Sequence, residues 1–250
     1  MKNDATNTAN FGVFPFGPTA RFGDATSSGI VARSYVWDEA LARKPAPVFL
    51  YRHLGKRILD ILFVLLTLPF SLPLIGLCAL MLWCEGGSPF YTQDRLGRGG
   101  KRFSILKLRT MVRNADQVLE EYLANDPKMR QEWDSLQKLR NDPRVTRMGK
   151  FLRVTSLDEL PQLINVLLGD MSLVGPRPMM PDQLEMYGDA SSYNAVRPGI
   201  TGLWQVSARN NSVFTYRNEV DGAYERSLTL LMDVTILYKT IGVVLRPTGH

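Results

Sequence analysis

Between Ile61 and Cys84 the chain runs for about 24 residues without a charged side chain, long enough to enter a bilayer. An apolar run of that length must be covered by protein or meet lipid, so it limits every fold the chain can adopt. As a straight helix at 1.5 Å per residue it would cover about 36 Å, against a hydrocarbon core of roughly 30 Å. Length alone therefore favours a spanning helix. The middle of the run argues otherwise, because Thr67-Leu68-Pro69-Phe70-Ser71-Leu72-Pro73 places two prolines four residues apart. Each lacks an N–H and crowds the carbonyl four residues back, leaving carbonyls for which Thr67 and Ser71 are possible local donors. Charge points the same way. Arg43, Lys44, Arg52, Lys56 and Arg57 precede the run, and Arg95, Arg98, Lys101 and Arg102 follow it. Basic clusters of this kind stay on the cytoplasmic side. A kinked helix that enters and returns on one side satisfies both prolines and charges, with arms of about 18 Å each. A spanning helix and a buried helix of a soluble protein are the alternatives.

The first ~45 residues differ in kind. Asn, Ala, Thr, Gly and Ser dominate, with scattered Phe11, Phe14, Phe16 and Phe22 and no sustained period. Residues 1–47 read as a disordered or variable tail without a secretory signal, 48–85 as the membrane helix, and 86–250 as a cytoplasmic catalytic region. The net charge of +6 suits phosphorylated ligands or an anionic membrane face. It would also suit nucleic acid, but no zinc-finger spacing, RNP-like aromatic motif or basic heptad region is present, so nucleic acid is not expected. Cys78 and Cys84 both lie in the apolar run, without CxxC or metal-ligand spacing. They read as hydrophobic filling in a reducing compartment.

Beyond the apolar run, Pro89 to Gln93 and Phe103 to Arg109 read as strands, joined by a hairpin turn over Arg95 to Lys101. The turn's glycines also suggest a phosphate cradle, although no Ser or Thr follows Lys101. Lys107 and Arg109 alternate onto one strand face, where both could reach one anion. Asn114 to Arg140 reads as two amphipathic helices broken at Asp126-Pro127. A further amphipathic helix follows over Leu228 to Ile241 and is read as interfacial.

The candidate chemistry centres on Leu157-Asp158-Glu159-Leu160-Pro161-Gln162-Leu163. Two adjacent carboxylates open a helix that ends at Gly169, with Arg153 upstream and Arg177 downstream between two prolines. Carboxylates among guanidinium groups suggest chemistry on a phosphate with a metal present. The helix N-terminus is expected to lower the Asp158 pKa and keep it ionised. A purely structural reading competes, since Ser156-x-x-Glu159 fits a capping box. Prolines on both sides of Arg177 fix its backbone, which suits either a phosphate clamp or a rigid surface turn. Arg197 to Val206 repeats the theme of a basic residue beside Pro and Gly.

These segments together carry a resemblance. Lys56-Arg57 with Asp60, Lys107 through Met111, Ser156 through Leu163, Gly169 through Pro178 and Arg197 through Gln205 resemble the bacterial sugar transferase family. These are the monotopic polyprenyl-phosphate phosphoglycosyl transferases. The resemblance implies an α+β fold, mostly helical, with a re-entrant membrane helix hairpin, a small β-hairpin and amphipathic interfacial helices. It implies transfer of a sugar-1-phosphate, by expectation galactose or glucose, from a UDP-sugar to undecaprenyl phosphate at the cytoplasmic face of the bacterial inner membrane. Asp158 resembles the nucleophile and Glu159 its metal-associated partner, the two holding Mg²⁺. Lys107, Arg109, Arg153, Arg177, Arg197, Gln205, Arg209 and Asp221 fall at substrate-binding positions. The short form that starts exopolysaccharide repeat units is the expected type. A UDP-sugar glycosyltransferase acting at the sugar carbon, or an inactive membrane assembly protein, are the competing readings.

Overall fold

The computed structural model describes residues 50–136, 139, 141–207 and 216–245. The predicted tail, with Arg43 and Lys44, and Arg209 lie outside the described residues.

Helix α1 (Lys56–Cys84) follows a single π-helical turn, Tyr51–Gly55, and together they make a 34-residue helical stretch. No loop interrupts it, and both Pro69 and Pro73 lie inside. The hydroxyls of Thr67 and Ser71 bond to the carbonyls of Phe63, Val64 and Leu68. These are not the Leu65 and Pro69 carbonyls that the prolines release, so the local rescue expected from the sequence does not form. The buried positions Lys56, Asp60, Val64, Ser71, Ile75, Cys78 and Leu82 trace one stripe along the whole helix. The other faces are bare, with Leu66 74% and Phe70 80% exposed.

The hairpin forms as the sequence implies. β1 (Phe90–Leu96) pairs antiparallel with β2 (Arg102–Leu108), from Phe90 opposite Leu108 to Leu96 opposite Arg102. Helices α2 (Ala115–Asn125) and α3 (Pro127–Leu136) break at Asp126, which is extended. Helix α4 (Arg147–Thr155) is capped by Thr146, whose side chain accepts from the Gly149 N–H at 2.9 Å. A Cβ on Gly149 would stand 2.0 Å from the Thr110 carbonyl oxygen, so only glycine lets α4 approach the chain just beyond β2.

Helix α5 (Gln162–Leu168) stops at Gly169, whose φ of 92° suits glycine. Strand β3 (Ser172–Val174) then pairs in parallel with β4 (Gly199–Thr201). This small second sheet was not evident from the sequence, since three-residue strands carry no period. The short helices α6 (Leu184–Tyr187) and α7 (Ser191–Ala195) lie between its strands. Helices α8 (Leu203–Ser207), α9 (Tyr216–Ser227) and α10 (Leu230–Leu245) complete the described chain.

One apolar cluster joins Val64 of α1 to Leu163, Val166, Met171, Tyr224 and Ile236. A second joins Ile75, Cys78 and Leu82 of α1 to Leu108 and Leu152, and Leu160 packs against both. The long helix and the surrounding elements therefore share their cores. Polar anchors add to this. Asp233, fully buried, accepts from Lys56 Nζ at 2.6 Å, the Tyr51 hydroxyl at 2.6 Å and the Tyr224 hydroxyl at 2.7 Å. Asp60 Oδ1 accepts from the Ser172 hydroxyl and the Leu173 N–H of β3. Arg57 donates to the Val166 and Leu167 carbonyls at the end of α5. The exposed side of α10 carries Leu230, Leu231, Val234, Tyr238 and Ile241, the apolar face that its sequence pattern implies.

Candidate active site

The carboxylate pair sits in a 3-10 turn, Leu157–Glu159, between α4 and α5. Ser156 enters it in the left-handed conformation, with φ 57°, and its side chain caps nothing. The capping box therefore does not form. Glu159 turns instead to β2, where Lys107 Nζ lies 2.7 Å from its Oε1. Arg177 Nη1 stands 3.6 Å from the same oxygen. Glu159 is thus committed to two cations.

Asp158 is different. It is 8% exposed and makes no hydrogen bond or ion pair among the described residues. Burial, with repulsion from Glu159, pushes its carboxyl up to about 6, while Lys107, Arg153 and Arg177 pull it down. The low pKa expected from a helix terminus is therefore corrected. Desolvation outweighs a dipole whose helix begins only at Gln162, four residues later.

The cations are positioned by separate devices. Lys107 projects from β2. Arg153, on the last turn of α4, donates Nε to the buried Thr110 hydroxyl at 2.9 Å. The Arg177 carbonyl accepts from Arg217 Nη2 at 2.7 Å, and that guanidinium lies 5.3 Å from the Trp204 ring centroid. Lys107, Glu159 and Arg177 line a pocket with Arg95, Gln162 and Ile200. The sequence reading missed three of these contributors. Gln162 is 2% exposed and its Nε2 has no acceptor. It stands four residues after Asp158, but the helix begins at Gln162 itself, so no helical spacing in the sequence links the two. Arg95 reaches the Pro178 carbonyl from β1, and its buried Nε also has no acceptor. Burial and the nearby Arg177 lower its guanidinium to about 10. Nothing in the sequence marks Arg95 or Arg217.

Four other expected site residues go elsewhere. Arg109 donates to the Leu82 and Gly86 carbonyls and so fastens the end of α1. It leaves the strand after Leu108, which breaks the alternation assumed to pair it with Lys107. Arg197 turns to the Gly169 carbonyl at 2.8 Å, drawn by the exposed carbonyls at the end of α5. Gln205 holds the Ile200 carbonyl from behind the pocket. Asp221 is 2% exposed, accepts from the Tyr187 hydroxyl at 2.7 Å, and is pushed up to about 6 by burial. It supports Arg217 electrostatically rather than facing the pocket.

The donor set suits one magnesium ion. Mg²⁺ typically takes one or two carboxylates and completes its shell with water and substrate phosphate. Asp158 and Glu159 supply two, and their mutual repulsion is what a cation would relieve. No cluster of three or more His, Cys, Asp or Glu that could enclose a metal occurs among the described residues.

Comparison with known proteins decides the family. The model described as bacterial sugar transferase matches residues 51–247, spanning α1 and the whole site. The chain belongs to the bacterial sugar transferase family. The undecaprenyl-phosphate galactose phosphotransferase of Salmonella typhimurium is 49% identical over 195 residues, which cover 78% of this chain and 41% of that protein. The exopolysaccharide production protein ExoY of Sinorhizobium fredii is 44% identical over 198 residues, covering 78% of this chain and 88% of the relative. The UDP-glucose:undecaprenyl-phosphate glucose-1-phosphate transferase of Caulobacter vibrioides is 39% identical over 199 residues, covering 75% and 68%. The chain thus spans about two fifths of the length of the Salmonella transferase. Within this sugar transferase chain, the matched region contains every residue of the pocket described above.

Proposed function

We propose that this protein transfers a sugar-1-phosphate, galactose or glucose phosphate, from a UDP-sugar to undecaprenyl phosphate and so starts an exopolysaccharide repeat unit. One observation carries the reading: the buried Asp158 carboxylate is uncommitted, while its neighbour Glu159 is clamped by Lys107 and Arg177. A group kept free of hydrogen bonds and surrounded by cations is poised to attack an electrophile that is itself anionic. Ionised Asp158 attacks the β-phosphorus of the donor, and the bond from that phosphorus to the bridging oxygen breaks. UMP leaves with the electron pair, and the sugar phosphate remains on the carboxylate as an acyl phosphate. An oxygen of undecaprenyl phosphate then attacks the same phosphorus, restoring Asp158 and giving the lipid diphosphate sugar. Lys107, Arg177 and Arg95 spread the phosphate charge through both steps. Mg²⁺ held by Asp158 and Glu159 would add Lewis-acid polarisation of the phosphoryl oxygens.

The packing supports a re-entrant α1, and the basic clusters on both of its flanks support placement at the cytoplasmic face of the inner membrane. Both ends of α1 are fastened to the same body, by Arg57 on α5 and by Arg109 on Leu82 and Gly86. A helix crossing the bilayer would carry one end about 30 Å away. Cysteine labelling beside His53 and beside Gly97, in a Cys-free background, should report a single side.

The reaction is tested by incubating the protein with UDP-sugar radiolabelled in the sugar, without lipid acceptor. Wild type should become labelled and release UMP, and Asp158→Asn should do neither. Release of UDP would instead indicate attack at the sugar carbon.

A further inference from the structure

A second pocket lies where the turn preceding α1 meets the β1–β2 connection and the chain before β4. Its lining includes Arg52, Lys56, Asp60, Arg98 and Arg197. Four cations thus accompany one carboxylate. Two of them are already engaged, Arg52 with Glu225 and Lys56 with Asp233. The other two are not. Arg197 makes a single hydrogen bond among the described residues, from Nε to Gly169, and Arg98 makes no hydrogen bond or ion pair among them. Burial, Arg57 and then Arg98 each push the Arg197 guanidinium below its ordinary range. Two guanidinium groups from segments a hundred residues apart in sequence therefore line one pocket and repel each other, and Asp60 is the one carboxylate in that lining that draws Arg197. Such an arrangement costs free energy until an anion joins it, and phosphate fits the guanidinium fork.

The surrounding surface identifies the anion. Leu50, Leu54 and Ile58, on the other face of the helix that carries Arg52 and Lys56, are exposed, and so are Leu230 and Leu231, just after the lining residue Leu228. With those apolar faces in lipid the pocket lies at headgroup level, where a lipid phosphate reaches it. We propose that Arg98 and Arg197 form a second anion site, separate from the Asp158–Glu159 site, which binds the phosphate of a membrane lipid and fixes how the protein sits on the bilayer. This rests on the membrane placement of α1 proposed above and not on the transfer reaction.

The test presents the full chain, in neutral detergent micelles, with dioctanoyl-phosphatidylglycerol, a short-chain polyprenyl phosphate, or inorganic phosphate. Bound ligand is counted by native mass spectrometry across a titration. One basic residue at an anionic membrane surface contributes about fivefold in affinity. Arg98→Gln should therefore weaken lipid binding about fivefold, and Arg98→Gln with Arg197→Gln should weaken it further than either change alone. The charge-matched control, Lys128→Gln with Arg130→Gln on exposed positions of α3, should change it less than about twofold. Dependence on the two arginines with phosphatidylglycerol identifies bulk phospholipid as the source. Dependence with the polyprenyl phosphate alone identifies the acceptor lipid, and both outcomes support the site. Inorganic phosphate binding as tightly as either lipid would overturn the lipid assignment. Equal losses in the control pair, or unchanged binding in both arginine variants, would overturn the site. Arg98 makes no hydrogen bond or ion pair among the described residues, so weaker binding by Arg98→Gln could not be attributed to misfolding.

Discussion

Replacing Asp158 by asparagine should stop turnover and, at neutral pH, leave a more stable protein. The folded carboxyl is held at about 6, against an ordinary 3.8, chiefly by burial and then by Glu159. An acid whose pKa is higher in the folded than in the unfolded state is one that the fold prefers protonated. Its contribution to stability is complete below about pH 4 and is lost as the pH rises through about 6. At roughly 1.4 kcal/mol per pH unit, the two-unit shift makes ionisation cost about 3 kcal/mol at pH 7.5. The asparagine amide has nearly the same shape and carries no such cost. For a chain of this size 1 kcal/mol moves Tm by about 2–4 °C. Asp158→Asn should thus melt about 6–12 °C above wild type at pH 7.5, about 2–4 °C above it at pH 4.5, and level with it only at about pH 3. Thermal unfolding followed by intrinsic fluorescence in detergent, with EDTA present, measures this. A variant that melts below wild type at pH 7.5 would refute the reasoning, because Lys107, Arg153 and Arg177 would then outweigh burial.

The same ionisation should govern rate. If Asp158 must be charged to attack, turnover should rise about tenfold from pH 5 to pH 7, the change in ionised fraction around a pKa of about 6. Arg177→Lys keeps the charge but loses the planar fork and should cut kcat/KM by about tenfold or more, with Tm little changed. Asp233→Asn removes the charged partner of buried Lys56 and should cost about 3–5 kcal/mol, read as a lower Tm and a lower yield from membranes. Gly149→Ala would drive a methyl into the Thr110 carbonyl, shift α4 with Arg153, and lower activity with a moderate loss of stability.

The sequence carried the elements with strong period or punctuation. The hairpin, the break at Asp126, the stop at Gly169 and the apolar α1 all stand where glycine, proline or hydrophobic runs placed them. The carboxylate pair with Lys107, Arg153 and Arg177 was legible because motif segments bring them together. Side-chain direction was not legible. Arg109 and Arg197 bear the right charge at plausible positions, yet helix-end carbonyls at Gly86 and Gly169 capture them. Nor was desolvation, which reverses the expected pKa of Asp158, because burial is a property of the assembled neighbours. Arg95 and Gln162 became visible only when pairing register and packing turned them into one pocket.

Helix α5 is gripped by Arg57 at one end and follows the carboxylates at the other. It therefore acts as a strut of seven residues, about 10 Å long, between the apolar helix and the reacting atoms. Both attachments belong to the fold, so the length of α5 sets the offset of Asp158 from α1. With α1 placed in lipid as proposed, an acceptor would be selected by the depth at which its phosphate rides, with its long tail left unread. Lengthening α5 by one turn would move the carboxylate by about 5.4 Å, farther than any hydrogen bond can stretch, and leave an intact site out of reach of its lipid.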